Sequence, residues 1–255
     1  MPVTSIRLLT LNALVRGDVR PRLRALAAIL DESDYDVVCL QEVLHAGSVR
    51  LLRRLTPGFR HRFASGFPLL HGGLLLLSRW PFVRSGFTRY PAGRPLRTEM
   101  LMRKGVQVAV VDTPGGPLAV VNTHLSANRD GDWAPANRYT RIARGELDAL
   151  AGLVAALDPA LPVVVAGDFN VPRDSLALTA FAEAAGLRDV LAGDTAPTYR
   201  PTARFPAPPA LDQVLVRGTP SARARLVFKD AVALPGGRTG YLSDHYGIEA
   251  DLTIA

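Results

Sequence analysis

The chain has 255 residues, 48% hydrophobic and 21% charged, and its 30 Lys and Arg against 23 Asp and Glu leave a formal charge of +7. That balance excludes a disordered chain, and the apolar runs are far shorter than the ~20 residues that cross a bilayer, which excludes a helical membrane span. The single cysteine, Cys39 inside Val37-Val38-Cys39-Leu40, excludes a disulfide framework or a thiolate metal centre and reads as a small core residue.

One domain spanning 1–255 is expected, since a chain this long can bury roughly three quarters of its unfolded surface without a disulfide or structural metal. Short apolar runs over 6–11, 37–40, 73–77, 106–111, 118–122, 163–167 and 211–216 read as strands. Between the first two, residues 21–30 place Leu23, Leu26, Ala27 and Leu30 at helical spacing, with Pro21 suited to a first turn. A longer helix is expected over 138–157, where Ala143, Leu147, Leu150, Val154 and Leu157 form one stripe and Asp158-Pro159 ends it. A third covers 175–185 and stops at Gly186, while 197–209 is too rich in Pro and Ala for regular structure. No internal repeat is visible. Successive strands from 73 to 123, joined by Pro/Gly turns, argue for an α+β fold of mixed sheets packed on each other with helices outside. The opening Met1-Pro2-Val3-Thr4-Ser5-Ile6 has no basic segment leading into an apolar run, so a cytoplasmic protein is expected, and a monomer.

The informative polar residues stand at strand ends, where a rigid sheet presents them to a ligand. The first strand ends in Asn12, the second in Gln41-Glu42, the fifth in Asn122-Thr123-His124 and the sixth in Gly167-Asp168-Phe169-Asn170; Leu211-Asp212 opens the seventh, and Ser243-Asp244-His245 lies near the C-terminus. Each has an ordinary reading: Asn12 as a turn former, Glu42 as an exposed charge, either histidine as a simple hydrogen-bonding group, Gly167–Asn170 as an Asx turn. Carboxylates and amides with histidines but no thiolates form a hard-oxygen donor set suited to Mg²⁺, with Mn²⁺ as the alternative. A histidine beside a carboxylate supplies a general base at neutral pH.

In order, Asn12, Leu40-Gln41-Glu42-Val43, Gly73 to Pro81 with Leu77-Ser78-Arg79-Trp80-Pro81, Asn122-Thr123-His124-Leu125, Gly167-Asp168-Phe169-Asn170, Leu211-Asp212-Gln213-Val214 and Ser243-Asp244-His245 resemble the endonuclease/exonuclease/phosphatase superfamily over nearly the whole chain. The resemblance implies a four-layer α/β/β/α sandwich and Mg²⁺-dependent phosphoester hydrolysis. It implies Glu42 as a metal ligand with Asn12 beside it and Asp244 as a ligand to the metal or its water. His245 is implied as general base and Asp212 as the residue that orients it. Asp168 and Asn170 would position the attacking water and bind phosphoryl oxygen, and His124 would bind the phosphate.

The shared core leaves the substrate open. Arg103-Lys104-Gly105-Val106 and Thr123-His124-Leu125-Ser126-Ala127-Asn128, followed by a helix bearing Arg141, resemble the neutral sphingomyelinase-like branch. That implies a phospholipid headgroup or small phosphodiester as substrate, with Lys104 binding it, although Lys104 also reads as a strand-edge charge. Arg144 departs from that branch's pattern, and no apolar hairpin suggests stable membrane insertion. Trp80 and Phe82 read as packing residues. The alternative is a DNA or RNA nuclease of the same superfamily, favoured by the +7 charge and by Arg50, Arg53, Arg54, Arg60 and Arg62.

Overall fold

A computed structural model describes residues 4–91, 102–219 and 221–254. Strand β1 (Thr4–Asn12) leads through helix α1 (Val19–Glu32) to β2 (Val37–Gln41), then helix α2 (Ala46–Leu55), β3 (His61–Phe63), a short 3-10 turn, β4 (Leu75–Ser78) and β5 (Phe82–Arg89). The chain continues as β6 (Gly105–Thr113), β7 (Gly116–His124), α3 (Arg138–Ala155), β8 (Val163–Asp168), α4 (Leu176–Ala185), β9 (Arg188–Asp189), β10 (Asp212–Arg217), β11 (Ser221–Val227), the small hairpin β12 (Val232–Leu234) and β13 (Arg238–Gly240), and β14 (Gly247–Ile254).

Alternation along the strands sets the layers. Ile6 and Leu8 of β1, Val37 and Cys39 of β2, and Val164 and Ala166 of β8 meet in one core between the sheets. Leu9, Leu11, Val38 and Leu40 turn the other way onto Leu23, Leu26 and Leu30 of α1, and Val163 and Val165 turn onto Leu147, Leu150 and Val154 of α3. Strands buried on both faces have no room for a polar alternation, which is why they read as unbroken apolar runs. The result is an α/β/β/α sandwich, as the resemblance implies, and Trp80 and Phe82 pack against the central core.

The two six-stranded sheets run β11-β14-β1-β2-β4-β3 and β5-β6-β7-β8-β10-β9. In each, the third and fourth strands are the parallel pair, and their neighbours on both sides are antiparallel. The sheets therefore share one plan although the sequence shows no repeat. Both parallel pairs are joined by a crossover helix, α1 or α3. Asn137 caps α3 by accepting from Tyr139 N, Ser175 caps α4 by accepting from Leu178 N, and Gly186 ends α4 at φ 63°.

A polar bridge crosses the buried middle. Gln41 Nε2 on β2 donates to Asn122 Oδ1 on β7 at 2.8 Å, and Asn122 Nδ2 donates to Gln107 Oε1 on β6 at 3.1 Å and to the Leu40 carbonyl at 3.2 Å. All three side chains are fully buried, so the bridge fixes one sheet against the other.

Candidate active site

The topology brings the expected residues to one edge. Pairing of β1 with β2 aligns Asn12 with Gln41, one residue before Glu42, and pairing of β7 with β8 aligns His124 with Asp168. Antiparallel β10 sets Asp212 opposite Asp168, and antiparallel β14, whose Ile248 pairs with Thr10, carries Asp244 and His245 past the end of β1. One cavity of about 590 Å³ is lined by Asn12, Glu42, Lys104, His124, Asp168, Asn170, Asp244 and His245. Asp212 stands behind His245 rather than on the cavity wall. The parallel pair β7–β8 must close tightly here: a Cβ at Gly167, where φ is 145°, would lie 2.0 Å from the Thr123 carbonyl.

Five buried groups form a chain of contacts. His245 Nδ1 lies 2.9 Å from Asp212 Oδ2. Its Nε2 lies 3.8 Å from Asp168 Oδ2, which also sits 3.3 Å from His124 Nε2 and accepts from Asn12 Nδ2 at 3.0 Å. The Lys104 ammonium donates to His124 Nε2 at 2.8 Å and to the Leu125 carbonyl at 2.6 Å. Lys104 is buried and is not a strand-edge charge. Asn170 donates its backbone N–H to Asp168 Oδ1 at 3.0 Å and its amide to the Leu125 carbonyl at 3.0 Å.

The charges shape one another. Burial lowers the His245 imidazole, but the Asp212 and Asp168 carboxylates outweigh it and push the pKa up to about 10. Burial opposes ionisation of Asp168, yet His245, His124 and Lys104 hold its carboxyl well below the ordinary range. Burial holds the Asp212 carboxyl above its usual value despite His245. At Glu42, burial is again outweighed, by His124, a hydrogen bond from Val15 N and Lys104, so the carboxylate is held ionised.

The oxygens of Glu42, Asn12 and Asp244 fit a hard divalent cation. Glu42 Oε2 accepts from Val15 N at 2.8 Å, while among the described residues Oε1 has the Asn12 amide beside it at 3.4 Å. Glu42 takes φ 59°, with Leu14 at 54° and Asn170 at 52°, strained conformations that aim loop groups at the cavity. Ligand atoms of Asp168, Asp212 and His245 also lie within 4.8 Å of one another, but the His245–Asp212 hydrogen bond engages two of them with each other.

Several residues had no sequence signal. Tyr199 meets His245 edge to face at 5.1 Å and Phe205 at 6.1 Å, forming an aromatic wall. Exposed Arg16, Arg129 and Arg204 line the cavity mouth. Arg200 stacks on Tyr241 and Tyr246 and donates to the Ser243, Lys229 and Phe228 carbonyls, which clamps the segment bearing Asp244 and His245. Arg22 donates to the Ala13, Leu14, Arg16 and Leu242 carbonyls and ties the loop after β1 to that segment. Arg50, Arg53 and Arg54 lie instead on α2, and Arg62 is spent on the Arg53 and Thr56 carbonyls. None of them lines the site cavity.

A buried carboxylate–imidazole pair facing a lysine, with an oxygen donor set across the cavity, defines a hydrolytic site for an anionic substrate. Residues 9–245 match the Endonuclease/Exonuclease/phosphatase family, and the chain belongs to it. The chain is 32% identical over 161 residues to inositol phosphosphingolipids phospholipase C of Schizosaccharomyces pombe, covering 59% of this chain and 36% of that protein. The Saccharomyces cerevisiae protein of the same name is 29% identical over 62% of this chain and 34% of its own length. The chain thus spans about a third of these curated relatives. In fold it is similar to a beta toxin mutant from Staphylococcus aureus with bound magnesium ions, with TM-score 0.78, 17% identity, and 97% and 99% of the two chains covered. It is similar also to D. rerio TDP2 complexed with single strand DNA product, with TM-score 0.76, 19% identity, and 98% and 99% covered.

Proposed function

We propose that the chain is a Mg²⁺-dependent phosphodiesterase of the sphingomyelinase and phospholipase C type. The observation that carries this reading is the buried Lys104–His124–Asp168–His245–Asp212 array facing Glu42, Asn12 and Asp244. In it, the unprotonated form of His245, a minority at neutral pH because Asp212 and Asp168 raise its pKa to about 10, takes at Nε2 the proton of a water as that water attacks phosphorus in line, and the bond to the leaving oxygen breaks as that oxygen takes a proton from solvent. Asp212 fixes the imidazole through Nδ1 and stabilises the imidazolium. Asp168 and Asn170 hold the water and a phosphoryl oxygen, and Lys104 with His124 offsets charge in the transition state. Glu42, Asn12 and Asp244 would hold Mg²⁺, with Mn²⁺ able to replace it, and the bound ion supplies further charge stabilisation. Similarity to the two yeast phospholipases C supports a lipid phosphodiester as substrate. Release of phosphocholine from sphingomyelin in detergent micelles tests the reading. Release with Mg²⁺, abolished by EDTA and in His245→Ala, is expected; none with folded protein in Mg²⁺ contradicts it. The arginines at the mouth favour a second reading, a nuclease, for which nicking of plasmid DNA under the same conditions is the readout.

A further inference from the structure

Helix α3 buries Ala143, Leu147, Leu150 and Val154 against the second sheet, and Glu146, one position before Leu147, is buried with them at 4% exposure. An ionisable side chain on that face needs compensation, and Ser126, two residues past the end of β7, supplies it. The Ser126 backbone N–H donates to Glu146 Oε2 at 2.8 Å and its hydroxyl donates to Oε1 at 2.6 Å. That N–H belongs to the Leu125–Ser126 peptide, whose carbonyl points the opposite way because the bond is trans. The carbonyl accepts from the Lys104 ammonium at 2.6 Å and from the Asn170 amide at 3.0 Å. Just before it, Leu125 N–H donates to the Asp168 carbonyl at 3.0 Å and ties the loop to β8. Burial pushes the Glu146 carboxyl above its usual range, against Ser126, Lys104 and His124, so this group sits where an apolar side chain would pack at less cost.

We propose that Glu146 is a positioning residue for the reaction, acting through the Leu125–Ser126 peptide to fix the Lys104 ammonium and the Asn170 amide against the phosphate. The inference rests on the phosphodiesterase reading, in which those two groups meet the phosphate. Hydrogen bonds in series polarise one another, so an acceptor on the N–H makes the carbonyl a stronger acceptor for the two groups beyond it. Lys104 carries three rotatable donors on a flexible stem, and a fixed carbonyl sets which way the remaining donors face. Leu125 and Ser126 lie outside any helix or strand, and rotation of their peptide would move the ammonium relative to His124 Nε2, 2.8 Å away.

Hydrolysis of bis-p-nitrophenyl phosphate in Mg²⁺ provides the test. Glu146→Leu lowers kcat by about 10–100-fold, as misplacement of a binding group by about an ångström does, and leaves the Mg²⁺ concentration for half-maximal activity unchanged. A general loosening of the site would move that concentration as well. Glu146→Gln, which still accepts the Ser126 N–H, retains most of the activity. In a Lys104→Met background Glu146→Leu lowers kcat by at most about threefold, because the principal group it positions is gone. Thermal unfolding checks each variant, and Glu146→Asp, whose carboxyl is drawn back by one methylene, takes the place of Glu146→Leu if that protein does not fold. Near-wild-type kcat in Glu146→Leu, an equal loss in Glu146→Gln, or the same fold-loss in both backgrounds overturns the positioning role, while hydrolysis by the wild type leaves the phosphodiesterase reading standing. Failure of the wild type to hydrolyse the diester overturns that reading and this inference with it.

Discussion

In both sheets a parallel pair joined by a helix, β1–α1–β2 in one and β7–α3–β8 in the other, delivers polar residues to the same edge of the sandwich. The surroundings differ. On the first side Glu42 is half-buried, one carboxylate oxygen meets among the described residues an amide 3.4 Å away, and strained backbone at Leu14 and Glu42 turns the loop toward the cavity. On the second side His124, Asp168 and Asp212 are buried and joined through hydrogen bonds to Lys104, Asn170 and His245. One plan of strands thus yields an open ligand set facing a fixed array of charges, which is how a hydrolytic site separates cation binding from preorganised electrostatics.

Breaking the fixed side has the largest effect. His245→Ala and Asp168→Ala each lower kcat on a soluble phosphodiester by about 10²–10⁴-fold, with circular dichroism showing retained fold. Activity near wild type in either would remove the array from the chemistry. Next comes the bridge that holds the sides in register. Asn122→Leu leaves Gln107 Oε1 and buried backbone carbonyls without their donor and destabilises the protein by about 1–3 kcal/mol, read by urea denaturation. On the open side, Glu42→Gln raises the Mg²⁺ concentration needed for half-maximal activity; an unchanged metal titration would exclude Glu42 as a ligand.

The smallest effect lies away from the site. Burial works against ionisation of Glu249, but hydrogen bonds from Tyr35, Arg225 and Arg7 prevail and hold its carboxyl below the ordinary value. A depressed folded pKa gives stability that is present above the unfolded value and lost as pH falls through the folded one. Glu249→Gln is therefore less stable than wild type by about 1–2 kcal/mol at neutral pH, and the gap narrows in acid, as thermal melts across pH will register.

Much of this was legible because fully buried strands leave an unbroken apolar signal. Val37–Gln41 and Val163–Asp168 announce themselves, and the polar residues that end them stand out. Edge strands carry no such signal. Phe82–Arg89 and Ser221–Val227 are largely exposed and carry no unbroken apolar run, and α2 hides its apolar face, Val49, Leu52 and Leu55, among arginines. The expected strand ends placed Asn12, Glu42, His124, Asp168 and Asn170 in one cavity with Asp244 and His245. Lys104 was expected to bind substrate, but the reach of its ammonium to His124, β7's last residue, arises only in three dimensions, as do the arginines whose work is to hold carbonyls of loops far apart in the chain.

The most direct measurement is a Mg²⁺ titration of phosphodiester hydrolysis for wild type, Glu42→Gln and His245→Ala side by side. The two-sided site predicts that excess Mg²⁺ restores much of the activity of Glu42→Gln and none of that of His245→Ala. Recovery of His245→Ala at high Mg²⁺, or titrations of Glu42→Gln and wild type that coincide, would contradict it.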